Sequence, residues 1–183
     1  ARAPVTAPDD RNAGNGPPPG YRPAPELFAG RVALLTGAGA GIGRVVALAL
    51  ARHGADVVLA GRSVRRLEAV HDEIEALGLP RPAICPIDLE RASYPDCETI
   101  RDALEAEYGR LDILLHNAAA LGTLTPLAQS EPTEWARVMH ANLHAPYMLT
   151  HCLWPLLRRS ACASVLFTLD EASAGRAYWG AYG

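Results

Sequence analysis

The sequence predicts a three-layer α/β/α fold built on a parallel sheet, and three observations predict it. Short apolar runs alternate with helical stretches from residue 31 to residue 169, a glycine-rich turn joins the first such pair, and 183 residues that are 49% hydrophobic suffice for one buried core. Strands alternating with helices of this length need right-handed crossovers, which lay helices on both faces of the sheet.

Residues 31 to 36 (RVALLT) form the first strand candidate. Residues 42 to 53 are almost continuously apolar, as befits a helix packed on a sheet, and Gly54 stands where a helix-terminating glycine belongs. Residues 56 to 60 (DVVLA) make a second strand. Leu67, Val70, Ile74 and Leu77 then recur at spacings of three, four and three, one face of a helix. Residues 83 to 87 predict a third strand, 97 to 108 a helix with Ile100 and Leu104 inward, and 111 to 116 (LDILLH) a fourth strand. Residues 132 to 159 read as a long helical region in which Pro146 and Pro155 predict a kink or a break. Residues 163 to 169 (ASVLFTL) give a fifth strand, and no internal repeat is present.

Residues 1 to 25 hold seven of the fifteen prolines and few large apolar groups. Such a segment cannot offset its ordering entropy by burial, so residues 1–27 are expected to form a disordered Pro/Gly-rich tail ahead of a domain at 28–183. A net charge of -3 with interspersed signs offers no basic stripe, which argues against nucleic-acid and membrane-surface partners and for a small molecule. No apolar run approaches the roughly 20 residues of a membrane-spanning helix. Cys85, Cys97, Cys152 and Cys162 lack CxxC spacing and read as reduced packing residues in a cytoplasmic protein.

Directly after the first strand comes TGAGAGIG, Thr36 to Gly43, opening a helix. Glycines at Gly37, Gly39, Gly41 and Gly43, with Ala40 and Ile42 between, let the backbone turn tightly and approach a pyrophosphate, while free helix amides and the helix dipole attract its charge. Flanked by a strand and a helix, the pattern points to a dinucleotide. Some twenty residues further on, an acid marks an NAD-preferring site. Here Gly61 occupies that place and Arg62 follows, whose guanidinium suits a 2'-phosphate, so NADP(H) is expected in preference to NAD(H).

With TGAGAGIG, the pair Asp88-Leu89 after the third strand and Asn117-Ala118 after the fourth, the chain from about Phe28 onward resembles the short-chain dehydrogenase/reductase family. The resemblance implies a Rossmann fold with sheet order 3-2-1-4-5, Asp88-Leu89 against the adenine, and the Asn117-Ala118-Ala119 loop along the cofactor. Ala119 stands where the family commonly has glycine. It implies hydride transfer between the nicotinamide and a carbonyl or alcohol substrate, in a homo-oligomer. Asn142 resembles the family's helix asparagine in the proton relay, and Tyr182 in WGAY its acid/base tyrosine. A phenol works near neutral pH only if its pKa falls, and the family lowers it with a lysine four residues on, beyond Gly183 of this sequence. The family's lysine, further strands, lid and pairing helix are accordingly expected beyond the chain given.

The family's serine, about thirteen residues before the tyrosine, has no match. Leu169 stands there, between Thr168 and Asp170, and Ser173 is only nine residues away, so the role stays unassigned. Unless protonated, Asp170 would repel an oxyanion. His140, His144 and His151 share helical spacing without a carboxylate partner, and no metal is expected. The alternative function is a non-catalytic NADP(H)-binding module that keeps the cofactor loop without the serine and lysine.

Overall fold

A computed structural model describes residues 20–170 and 177–182. The expected tail lies mostly outside them, as does Ser173. The described chain runs β1 (Val32–Thr36), α1 (Gly41–Arg52), β2 (Asp56–Gly61), α2 (Val64–Ala76), β3 (Ala83–Pro86), α3 (Tyr94–Tyr108), β4 (Ile113–His116), α4 (Pro132–Met139), a π-helical turn (His140–His144), α5 (Ala145–Leu157) and β5 (Ser164–Phe167). The five strands form one sheet in the order β3-β2-β1-β4-β5, every pairing parallel. This is the expected order.

The central strand β1 is buried at all five positions. Its alternation divides the core: Val32 and Leu34 join the α3 and α5 side, Ala33 and Leu35 the α1 and α2 side. The predicted helix face of Leu67, Val70 and Ile74 is buried on the second side, whereas Leu77 lies just past the end of α2 and is exposed. At the other extreme β5 is exposed at all four positions, with Phe167 53% accessible.

Several boundaries shift by one to three residues, and two departures from expectation have clear physical reasons. Helix α3 begins at Tyr94, three residues before Cys97, because Ser93 caps it: the Asp96 carboxylate accepts from the Ser93 amide at 2.8 Å and from its hydroxyl at 2.6 Å. The long helical region does not break at its prolines. Pro146 falls in the first turn of α5, directly after the π turn, whose wider spacing covers Asn142, the residue whose carbonyl the proline ring would otherwise meet. Pro155 sits inside α5, which continues to Leu157.

At the amino-terminal end of the sheet, the buried Asp112 carboxylate accepts from the Val32 amide at 3.0 Å and the Ser160 hydroxyl at 2.6 Å, and pairs with Arg110. Among the described residues no helix is long and apolar enough to cross a membrane.

Candidate functional site

The opposite, carboxyl-terminal end of the strands is held by Thr36. Its hydroxyl accepts from the amides of Asn117 and Ala118 at 3.0 and 3.1 Å and donates to the Leu115 carbonyl at 3.3 Å. This draws the loop after β4 against the glycine-rich turn after β1. Gly37 adopts φ +68, and an added Cβ there would stand 3.0 Å from the Ala118 Cα. Gly43 is tighter still: its Cβ would meet the Gly37 carbonyl oxygen at 2.3 Å and Asn117 Nδ2 at 2.8 Å. The turn is therefore folded onto the first turn of α1 with no room for a side chain. The Ala38 amide fastens it to the Ala60 carbonyl of β2 at 3.2 Å.

Helix α1 opens without neutralising chemistry. Ala40 provides no side-chain cap, and no acidic residue lies in the first turn. The positive end of the helix dipole thus lies next to Ala40, which lines the cleft, with backbone N–H groups that lack an intrahelical acceptor.

The cleft, of about 280 Å³, runs along the carboxyl edge of the sheet. Of the residues singled out in the sequence, Gly37, Gly39, Ala40, Arg62, Asp88, Leu89, Asn117, Ala118 and Ala119 line it. Gly41, Ile42, Gly43, Asn142 and Tyr182 do not line it. Ile42 is 61% exposed, and Gly43 acts beneath the turn rather than in the wall. Asp88 bends its own loop, its carboxylate accepting from the Glu90 amide at 3.1 Å.

Three polar lining residues were missed in the sequence: Ser63, Arg66 and Glu90. Ser63 is the N-cap of α2 but gives no side-chain cap bond, and Arg66 follows one helical turn later. A serine before an apolar-periodic stretch was a readable helix-start signal, and it would have placed Ser63 and Arg66 beside Arg62. Arg62 Nη1 donates to Glu90 Oε1 at 2.9 Å, and Arg137 of α4 donates to Glu90 Oε2 at the same distance. Arg137 also reaches Glu134 at 3.3 Å, whose carboxylate accepts from the Thr123 hydroxyl at 2.9 Å.

Asn142, in the π turn, clamps the loop that carries Asn117 to Ala120: its Oδ1 accepts from the Ala120 amide at 2.8 Å and its Nδ2 donates to the Ala120 carbonyl at 2.9 Å. His140 bonds the Ala92 carbonyl at 2.8 Å and stands 5.9 Å, ring to ring, from His144, whereas His151 packs against Tyr94 and Tyr147. His151 thus stands apart from the His140–His144 pair. His116, at the end of β4, contacts the Thr150 hydroxyl at 2.8 Å through Nε2 and stacks on Phe167, and burial pushes its pKa down to about 4.

On the far side, the Thr168 hydroxyl donates to Asn117 Oδ1 at 3.3 Å. Tyr182 is half-buried beside Trp179, ring centroids 5.8 Å apart, with its amide bonded to the Trp179 carbonyl at 3.2 Å. The Tyr178 carbonyl accepts from the Thr125 amide at 3.0 Å and so ties this segment to the loop after β4.

Comparison with known proteins agrees with this geometry. Residues 31–183 match the family model for short chain dehydrogenase. An uncharacterised oxidoreductase, YciK, of Escherichia coli strain K12 is 39% identical over 163 residues, which span 88% of this chain and 65% of that protein. A cyclohexanol dehydrogenase of an Acinetobacter strain is 31% identical over 148 residues, 79% of this chain and 57% of its own length. A crystal structure from Escherichia coli CFT073, described as a short chain dehydrogenase complexed with NADPH, superposes with a TM-score of 0.83 at 40% identity, covering 87% of this chain and 67% of that one.

Proposed function

The chain belongs to the short chain dehydrogenase family of NAD(P)-binding oxidoreductases, as the match over residues 31–183 establishes, and on that premise we propose that it binds NADP(H) in this cleft and takes part in hydride transfer to or from a small carbonyl or alcohol substrate. The observation that carries the cofactor reading is the pairing of an uncapped α1 start, wedged against Gly37 and Gly43, with a cluster of Arg62, Ser63 and Arg66 beside the turn, where Arg66 lies against Gly39.

Bound there, the cofactor would supply the hydride. The α1 amides and dipole hold its pyrophosphate, and the missing side chains at Gly37 and Gly39 let the backbone come close. Leu89, 8% exposed, and Asp88 form the wall for the adenine. Arg62, the Ser63 hydroxyl and Arg66, at the positive end of α2, offer charge-assisted donors to a 2'-phosphate. This favours NADP(H), and the neighbour crystallised with NADPH supports the same preference. Asn117, Ala118 and Ala119 line the nicotinamide end. Asn142 serves by fixing Ala120 and through it this loop, and Tyr182 is the acid/base residue. The cofactor-binding unit is residues 28–183, apart from the segment 1–27. Four free cysteines fit a cytoplasmic location. Exposed Tyr147 and Trp154 on α5 offer a face for a second copy.

A second reading, a non-catalytic NADP(H)-binding module, is favoured by one observation: Leu169 stands in the serine's place, and Thr168 spends its hydroxyl on Asn117. Both readings share the cofactor site. Titration with NADPH and NADH, followed by calorimetry, tests it: NADPH is expected to bind more tightly, and Arg62→Ala to weaken NADPH about tenfold while leaving NADH unchanged. Absence of binding to either nucleotide would reject both.

A further inference from the structure

Arg62 cannot be considered alone, because its guanidinium is already engaged. Its partner Glu90 is only 17% exposed, whereas the Arg62 side chain is 70% exposed. The exposed pair by itself is weak, since solvent screens the arginine and a long side chain must be ordered. Moving Arg62 onto an anion in the cleft is costly for a different reason: it would strip the carboxylate of a partner in a place where water scarcely reaches it.

The second oxygen of Glu90 resolves this. It is held by Arg137 at 2.9 Å, from α4, a helix whose Arg137 is absent from the cleft wall. We infer that Arg137 is a positioning residue that sets the affinity for a 2'-phosphate from outside the site, by keeping Glu90 paired while Arg62 turns to the phosphate. This rests on the NADP(H) reading above. With Arg137 in place, Glu90 stays neutralised in both states, and Arg62 is free to be shared. Without it, Glu90 holds Arg62 for itself and adds an uncompensated negative charge beside the phosphate. Glu134, 3.3 Å from Arg137 and 25% exposed, takes part of the same cation, so loss of Arg137 uncovers two carboxylates rather than one. The mechanism makes Glu90 the antagonist: once its charge is gone, Arg62 is released without Arg137, whose remaining partner Glu134 does not engage Arg62.

Four forms of the full chain separate this from a merely structural ion pair: wild type, Arg137→Gln, Arg137→Lys and the double variant Glu90→Gln/Arg137→Gln, each checked by thermal melting and titrated with NADPH and NADH. Arg137→Gln is expected to weaken NADPH about five- to tenfold, as loss of one partly screened charge predicts, with NADH unchanged. The lysine variant should stay within about twofold of wild type, and the double variant should return to near wild type. Unchanged NADPH affinity in Arg137→Gln overturns the inference while leaving the cofactor reading intact. So does a double variant as weak as the single one, or an equal loss for NADH, which would mark a structural role. Wild-type protein that binds NADPH no better than Arg62→Ala does would overturn the cofactor reading and this inference together.

Discussion

At the amino-terminal end of the β1–β4 seam Asp112 accepts the Val32 amide, while at the carboxyl-terminal end Thr36 accepts the amides of Asn117 and Ala118. The chemistry is alike, one buried oxygen bridging two neighbouring strands, but the consequences diverge. Asp112 is also engaged by Arg110 and Ser160, so its end of the sheet is closed. Thr36 gathers two loops by their backbones and leaves the space beyond them open as the cleft, with the uncapped start of α1 at its edge. One end is a foundation. The other is a mount, stable only so that something can be held above it.

The sharpest test of that contrast is Asp112→Ala. Burial alone would raise the Asp112 carboxyl, but donors from Arg110, Ser160 and the Val32 amide together hold it below the usual carboxylate range. Removing it leaves the Arg110 charge and the Val32 amide without their acceptor, at a cost of about 4 kcal/mol in urea unfolding. NADPH affinity of the folded fraction should be unchanged, and a parallel loss of affinity would show that the two ends are not separate. Next in size comes Gly43→Ala. With a Cβ 2.3 Å from the Gly37 oxygen the backbone must move, so stability should fall by about 3 kcal/mol and NADPH affinity by a hundredfold or more. Retained NADPH affinity in a stable Gly43→Ala protein would contradict the wedge.

Thr36→Val keeps the shape and removes the hydroxyl. Two loop amides and the Leu115 carbonyl lose a partner, which should cost about 2 kcal/mol and weaken NADPH roughly tenfold, by loosening the mount rather than by touching the ligand. Equal affinity for NADPH in this variant would mean that the loop keeps its place without Thr36.

How much of this was legible in the sequence follows the same division. The strand order and the turn from Thr36 to Gly43 were readable because glycines after a buried strand and before an apolar helix have few other uses. Arg62, Asp88 and Asn117 were readable because each directly follows a strand. Ser63 and Arg66 had a local helix-start signal that went unread, but Glu90 had none, since its value depends on Arg62, 28 positions away in sequence. Ion pairs of this kind leave no periodicity. The resemblance gave Asn142 only a relay role, and its clamp on Ala120 is a backbone contact made to a loop 22 positions away. The Thr168–Asn117 bond likewise spans 51 positions and could not be read from either segment.

The smallest expected effect concerns His116, directly before Asn117 on β4, where foundation and mount meet. The Thr150 hydroxyl donates to the Pro146 carbonyl at 2.8 Å and therefore accepts from His116 Nε2, which fixes the neutral tautomer with its proton on Nε2. Nδ1 is left buried without a partner, so a second proton would be a charge with nothing to hold it. Burial accordingly lowers the pKa to about 4 from the ordinary histidine value of 6.5. Between those values the unfolded chain binds more protons than the native one, so this residue's contribution is fully present above pH 6.5 and is lost as pH falls toward 4. From pH 7 to pH 5.5 the loss should be about 1 kcal/mol, read from urea midpoints. His116→Gln keeps a donor toward Thr150 but does not titrate, and its stability should be flatter with pH over that window. If wild type and His116→Gln fall in parallel, His116 carries no proton-linked stability and the acid sensitivity belongs to the carboxylates.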